Sequence, residues 1–173
     1  LKFEAEKAIV DSNIDSLIIR MAGFFGGYQK DKNFVGKIIP VILGKIKSGV
    51  NEIEVGDRVW QPTYTFDLAL NSMILLENNE SGFYSMSSLN SASFYQLAVK
   101  ITEYLGIDSL ISVKEVSSQQ FDKAEAAKRP HDAILSNEKL DRKGMNSQRN
   151  WEESLLEYLD DDYYKNMIKD MEI

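Results

Sequence analysis

Hydrophobic positions recur along this chain with two periods, and the switching between them outlines a mixed α/β protein. Leu1, Ala5, Ala8 and Ile9 fall at i, i+4, i+7 and i+8, so residues 1–11 read as a helix with one buried face. Residues 16–21 form a short apolar run of the length buried in parallel sheets. Asn33 is placed to cap a helix reaching about Lys47, with Phe34, Ile38, Val41, Ile42 and Ile46 inward, Pro40 as a kink and Gly49 as its end. Residues 53–55 and 58–60 read as short strands around the Gly56-Asp57 turn. Residues 82–86 form another strand, residues 93–105 a helix closed by Gly106, and residues 110–116 a strand. Residues 119–128 are polar and read as helical; Arg129-Pro130 is a rigid corner, and Asn137 caps a helical turn through Leu140. Asn150 caps a last long helix, with Glu153 completing a capping box and Trp151, Leu155, Leu156 and Leu159 on its buried side. Asp160-Asp161-Asp162 interrupts it before a second amphipathic helix.

The stretch from Trp60 to Ala69 is the sharpest local signal. Pro62 has no backbone donor and drives its predecessor into an extended conformation, so a strand or loop ends there. Thr65 reads as the helix N-cap, Asp67 complements the dipole in the first turn, and Ala69, Met73 and Leu76 continue as a helical stripe. A strand–corner–helix unit of this kind faces ligand in many α/β proteins, and it is also an ordinary connection. The turn Ala22-Gly23-Phe24-Phe25-Gly26-Gly27 is rich in glycine, but its spacing fits neither a P-loop nor a dinucleotide fingerprint.

Composition narrows the function. A net charge of −7 argues against nucleic acid as the main partner, since phosphate binding needs basic patches. The absence of cysteine removes disulfides, thiolate catalysis and cysteine-based zinc sites. The longest apolar run, residues 38–43, is far short of the roughly 20 residues that cross a bilayer. A cytoplasmic location is the expectation, with neither membrane nor nucleic acid as partner. The Asp160–Asp162 run lacks the alternating spacing of a calcium loop, so no metal site is expected. His131, the single histidine, reads as a surface residue. The first residue is not Met and the chain opens directly in a helix, so it is expected to begin inside a longer polypeptide.

Pro62-Thr63-Tyr64, followed by Asp67-Leu68-Ala69, resembles the signature in the second half of the dTDP-4-dehydrorhamnose reductase family, which belongs to the extended short-chain dehydrogenases/reductases. Other segments resemble that family in the same order. Residues 1–6 resemble the stretch after the catalytic tyrosine of Tyr-x-x-x-Lys, with Lys2 in the lysine's place. Residues 17–26 resemble its Arg-Thr-Ser-Trp-Val-Tyr-Gly strand and loop, and residues 82–98 resemble a strand and the helix carrying Trp-Tyr-Glu-Phe-Ala. Arg129-Pro130 through Leu135 resembles Arg-Pro-x-x-Ser-x-Leu, residues 137–140 its continuation, and Trp151 a tryptophan near the family's end. Three positions depart from the pattern. Gly23 stands where the reductases carry a pocket-shaping tryptophan, Trp60 where they carry glycine, and Ala133 where they carry serine.

The resemblance implies an α/β fold: the C-terminal half of a Rossmann-type short-chain reductase, residues 1–173 forming one domain of partial Rossmann strands plus a small α/β substrate-binding lobe. The N-terminal cofactor-binding half, with its glycine fingerprint and catalytic tyrosine, would be supplied from elsewhere. The implied function is the substrate-binding half of an NADPH-dependent reductase of a nucleotide-linked 4-keto sugar. An epimerase or dehydratase, or a non-catalytic sugar-nucleotide-binding relative, is open on the same scaffold. Lys2 would hold the catalytic lysine's post, lowering the tyrosine pKa and bonding the cofactor ribose, unless it is a solvated lysine. The resemblance places Lys2, Met21, Ala22 and Gly23 at the cofactor, and Phe24, Gln61, Thr63 and Arg129 at the substrate. Arg129 would meet the diphosphate as a planar bidentate donor, or else form a surface ion pair. Gln61 and Thr63 would reach sugar hydroxyls, or else satisfy backbone groups. Strands parted from their sheet neighbours leave open edges, so self-association or pairing with the missing half is expected.

Overall fold

The computed structural model describes residues 2–21, 23–121 and 130–170, with the side chain of Lys2 outside that description. Helix α1 (Lys2–Asp11) leads into strand β1 (Leu17–Met21) and the two-residue strand β2 (Phe24–Phe25). Helix α2 (Phe34–Lys47), strands β3 (Glu52–Gly56), β4 (Val59–Trp60) and β5 (Thr63–Tyr64), and helix α3 (Thr65–Glu77) return the chain to strand β6 (Gly82–Met86). Strand β7 (Ala92–Ser93), helix α4 (Phe94–Tyr104), strands β8 (Ser112–Val116) and β9 (Asp132–Ala133), and helices α5 (Glu138–Arg142), α6 (Trp151–Leu159) and α7 (Asp162–Lys169) complete it.

The fold is α/β, as expected, and its sheets are small. β1 and β6 pair in parallel, Leu17 opposite Gly82 through Met21 opposite Met86. Parallel strands need a crossover, and here the crossover carries a lobe as well as a helix. Within the crossover β2 pairs in parallel with β5, while β3 pairs in parallel with β8, which follows β6 in the chain. β4 lies at the centre of a three-stranded sheet, antiparallel to β7 and parallel to β9.

Two hydrophobic clusters hold these parts. The larger joins Ile39 and Ile42 of α2, Ile53 and Val55 of β3, Leu97 and Ile101 of α4, and Leu155 and Tyr158 of α6. The smaller fastens α3 to the β1–β6 pair through Leu68, Leu75, Tyr84 and Met86, with Leu140 of α5 beside them. α4 begins with a capping box in which Ser93 and Gln96 satisfy each other's backbone N–H groups, and Gly106 takes the left-handed turn after it (φ 67°).

Several faces differ from the periodicity reading. Ala5, Ala8 and Ile9 of α1 are exposed, and Arg20 of β1 donates to Glu6 of α1. On α3, Ala69, Met73 and Leu76 are exposed, and the helix buries Leu68, Asn71 and Leu75 instead. Tyr64, not Thr65, occupies the N-cap position. On α2 the inward stripe is Val35, Ile39, Ile42 and Leu43, turned so that Val41 and Pro40 face solvent, where a missing N–H is tolerated. Leu156 is exposed while Tyr158, unmarked by the pattern, is buried. The helical reading of residues 119–128 falls mostly on residues outside the description; a short 3-10 turn spans Ser118–Gln120.

Candidate functional site

The carboxyl ends of parallel strands are where α/β sheets present ligand-facing groups, and four segments meet at that end of β1 and β6. The N–H of Thr63 donates to the carbonyl of Gly23 (3.2 Å), and Phe24 lies in register with Thr63. The Thr63 hydroxyl donates to the carbonyl of Gln61 (3.0 Å) and accepts from the N–H of Ser88 (3.0 Å). The Gln61 amide donates to the carbonyls of Ser88 (3.3 Å) and Leu135 (3.2 Å), and its oxygen accepts from the N–H of Leu135 (2.6 Å). Asn137 accepts from the N–H of Ser87 (3.1 Å) and donates to its carbonyl (2.7 Å). Asn137 therefore clamps the end of β6 and makes no side-chain cap to α5. These bonds tie the loop after β1, the strand-end corner, the loop after β6 and the segment at Leu135 into one buried polar knot.

Met21, Gly23 and Phe24 form an exposed rim above that knot, at the end of β1 and in β2. Gln61 and Thr63 lie within the knot with their polar atoms spent on backbone partners. Ala22 and Arg129 lie outside the described residues, as does the side chain of Lys2 at the start of α1. The chain that follows Arg129 runs into β9, where the carbonyl of His131 accepts from Val59 (3.0 Å) and Ala133 pairs with Trp60. So the structure gathers Met21, Gly23, Phe24, Gln61 and Thr63 at one place and brings the segment after Arg129 alongside.

The two departures at Gly23 and Trp60 are a single contact. A Cβ built on Gly23 would stand 2.3 Å from Cε3 and 2.5 Å from Cζ3 of the Trp60 indole. Reading position by position finds both changes but not that they touch. Ser87 and Ser88 carry no local signal, since their partners lie tens of residues away, and Asn137, read as a helix cap, turns its side chain to Ser87 instead.

The glycine-rich turn is not a phosphate cradle. Gly26 (φ 140°), Gly27 (φ 97°) and Tyr28 (φ 50°) are successive positive-φ residues, and the N–H of Gly26 donates to the Asp31 carboxylate (3.1 Å). The turn thus already holds an anion of its own chain. The N–H of Tyr28 donates to the Tyr158 hydroxyl (2.9 Å), whose pKa burial pushes up to about 12, keeping the phenol neutral and able to donate toward Asp31 (3.4 Å). Two cavities lie elsewhere: about 290 Å³ between Asn90, Tyr95 and Asn150, and about 390 Å³ between Tyr28, Lys30 and Tyr163. No group of acidic and histidine side chains among the described residues is arranged to hold a metal. None of their helices is long and apolar enough to cross a membrane.

Parallel strands, a lobe beside their crossover and a polar knot at their carboxyl ends define a Rossmann-type α/β protein. Residues 1–164 match the model of the RmlD substrate binding domain, and the chain belongs to that family. It is 30% identical over 145 residues to the spore coat polysaccharide biosynthesis protein SpsK of Bacillus subtilis, covering 84% of this chain and 47% of that protein. It superposes on a dTDP-4-dehydrorhamnose reductase of Clostridium acetobutylicum with a TM-score of 0.78 at 29% identity, over 92% of this chain and 53% of that one. A dTDP-4-dehydrorhamnose reductase of Bacillus anthracis, solved in complex with NADP, matches with a TM-score of 0.75 at 26% identity, over 91% of this chain and 52% of that one. The chain thus spans about half the length of these relatives.

Proposed function

We propose that this chain is the substrate-binding half of an NADPH-dependent reductase acting on a nucleotide-linked 4-keto sugar. The observation that carries the reading is the register that sets Gly23 and Phe24 against Thr63 at the strand ends, with the segment after Arg129 alongside. That arrangement puts an exposed apolar rim over a rigid polar floor, a surface suited to a flat ring and a sugar. Arg129 is assigned to the diphosphate, where a guanidinium fork matches two phosphate oxygens. Gln61 and Thr63 act by holding the floor in register; Phe24 offers the sugar an apolar face.

A nicotinamide dinucleotide fits this chain only in part. Met21 and Gly23 are open to a ring laid at the end of β1, and Lys2 would stand beside the ribose. A pyrophosphate finds no cradle in the glycine-rich turn, because Asp31 occupies its N–H group. When bound, the nicotinamide supplies the hydride. A second stretch of polypeptide, corresponding to the rest of the relatives, would hold the pyrophosphate and contribute the proton-donating tyrosine.

Calorimetric titration tests the reading. The 173-residue chain should bind dTDP-rhamnose, a stable product-like nucleotide sugar, and Arg129→Ala should weaken it by about tenfold, the cost of a charge-assisted phosphate contact. Absence of any heat with dTDP or dTDP-sugars would overturn it.

A further inference from the structure

We infer that the cavity between the starts of α4 and α6 is a second binding site, built to hold one neutral sugar residue. None of its lining residues belongs to the polar knot or to the rim of Met21, Gly23 and Phe24. The inference therefore stands whether or not the strand ends bind a nucleotide sugar.

The walls are fixed by backbone bonds. A bridge ties the loop after β6 to the start of α6: the N–H of Leu89 donates to the carbonyl of Arg149 (2.9 Å), and the N–H of Trp151 donates to the carbonyl of Leu89 (3.4 Å). Directly after the bridge Asn90 turns in the left-handed region (φ 63°), and it lines the cavity together with Ser91. Across from them, Phe94 of α4 packs its ring against Phe34 and Trp60, at 4.5 and 5.3 Å between ring centres, while Tyr95 and Gln96 line the cavity.

Two of the lining amides are held by helix caps. The Gln96 oxygen accepts from the N–H of Ser93 (2.8 Å), and the Asn150 oxygen accepts from the N–H of Glu152 (3.2 Å). An amide carries one oxygen and one NH2 group, so each cap leaves an NH2 group with no partner among the described residues. The side chains of Asn90, Ser91 and Tyr95 make no hydrogen bond among those residues either. The knot is the opposite case, since Gln61 and Thr63 spend their polar atoms on backbone. Unspent amides and hydroxyls on a rigid frame bind a ligand at little ordering cost.

Size and charge narrow the ligand. A cavity of about 290 Å³ stands at the lower end of small-molecule sites, which run from about 300 to 1,000 Å³; it suits one sugar ring better than a whole nucleotide sugar. The Tyr95 ring is half-buried and stacks on no other ring among the described residues, which gives the cavity an apolar side. Its charged lining residues are Lys100 and Glu152, opposite in sign, and Lys100 already donates to Glu103 (2.8 Å). A phosphate or carboxylate entering here meets no unpaired cation and faces Glu152. A neutral ring with hydroxyls on its edge and C–H groups on its face meets donors, acceptors and an apolar side.

The test is a series of proton–nitrogen correlation spectra of the 173-residue chain, titrated with the methyl glycosides of glucose, galactose, mannose, rhamnose and N-acetylglucosamine. At least one glycoside should shift the amides of Asn90, Ser91, Gln96 and Glu152, with a dissociation constant on the order of 1 mM, the strength open to so small a ligand. Asn90→Gly removes an amide but tolerates the left-handed turn, and it should weaken that glycoside by about three- to tenfold, the worth of one hydrogen bond. Tyr95→Ala should weaken it by about as much, with thermal melts confirming that both variants are folded. Added dTDP should leave the shifts in place. Shifts of the same amides by dTDP-glucose would make a nucleotide-linked sugar the source of the ligand, and shifts by the glycoside alone would make it a free sugar or the end of a glycan. Silence of these amides toward every glycoside, shifts produced by sodium sulfate alone, displacement of the glycoside by dTDP, or undiminished affinity in the folded variants would overturn the inference. Glycoside binding without any heat from dTDP or dTDP-rhamnose would overturn the proposed function and leave this site standing.

Discussion

Arg149 donates twice to a single carboxylate oxygen of Asp67, from Nε at 2.9 Å and from a terminal nitrogen at 2.7 Å. The other oxygen of Asp67 accepts from the Ser154 hydroxyl at 2.6 Å, and its backbone carbonyl accepts from the Gln148 amide at 3.1 Å. Asp67 sits in the first turn of α3, and its partners come from α6 and the loop before it. The aspartate of the Pro62–Ala69 signature is thus a structural bolt, joining the crossover helix to the C-terminal helices.

Breaking that bolt should be costly. Asp67 is buried, and Asp67→Ala would leave the Ser154 hydroxyl unpaired and the one-third-exposed Arg149 with Glu157 as its remaining carboxylate. Because Arg149 keeps Glu157 and some water, the loss is that of charge-assisted hydrogen bonds, about 1.5–3 kcal/mol. Urea denaturation of Asp67→Ala should show a loss of that size, and Asp67→Asn a smaller one, since the amide oxygen still accepts. A variant as stable as the wild type would show that Asp67 bolts nothing.

This hub also marks the boundary of what local pattern discloses. α4 was legible in its bounds, because Ser93 and the closing Gly106 flank it directly; the Ser93–Gln96 capping box was not read from the sequence. β1 and β6 were legible as apolar runs. α3 was legible as a helix but not in its orientation: Ala69, Met73 and Leu76 have helical spacing, and so do Leu68 and Leu75. Periodicity supplies a stripe, and only a partner decides which stripe is covered. The site divides in the same way. Gln61 and Thr63 stand out beside Pro62, whereas their partners Ser88 and Leu135 come from distant segments, and the Gly23–Trp60 contact needs two strands in place before it exists.

Gly26 supplies a second stability test. Its φ of 140° disfavours any side chain, and a Cβ there would lie 1.9 Å from the Thr65 hydroxyl oxygen. Gly26→Ala should destabilise by about 1–3 kcal/mol from the backbone alone, with the overlap adding to it. Thr65→Ala in that background should recover part of the loss, because it removes the nearest atom but not the strained φ. Thermal melts of Gly26→Ala, Thr65→Ala and the double variant separate the two contributions; full recovery in the double variant would mean that backbone strain is absent.

His131 has a proton-linked environment that NMR can read directly. Its Nδ1 lies 3.0 Å from Asp132 and its Nε2 3.6 Å from Asp57. The hydrogen bond to Asp132 is the main cause that raises its pKa above the ordinary 6.5, against an opposing effect of desolvation. A folded-state pKa above the unfolded value favours the fold while the imidazole is charged. That contribution is fully present below about pH 6.5 and fades as the pH rises through the higher folded-state value. As the chain has one histidine, its ring resonances are unambiguous, and their midpoint should lie above 6.5. Asp132→Asn should bring it down; a midpoint indifferent to Asp132 would assign the shift elsewhere.

The outer side of α3 carries the strongest association signal. Phe66, Leu70, Met73 and Leu76 run along one side of the helix, each about half exposed, and only Asp67 and Glu77 are charged in the whole helix. A helix apolar on all sides is one that other protein covers. β1 adds an open edge, since β6 is its one described sheet partner. The chain alone is therefore expected to self-associate, with sedimentation velocity showing species above its 19.7 kDa mass at micromolar concentration. Leu70→Glu with Met73→Lys should shift the distribution to monomer. The cost in stability should be within about 0.5 kcal/mol per site, because neither side chain contributes to the buried cluster. A wild-type chain that sediments as one monomeric species and melts cooperatively would show that α3 and β1 tolerate their exposure, and would remove the case for a covering partner on this side of the molecule.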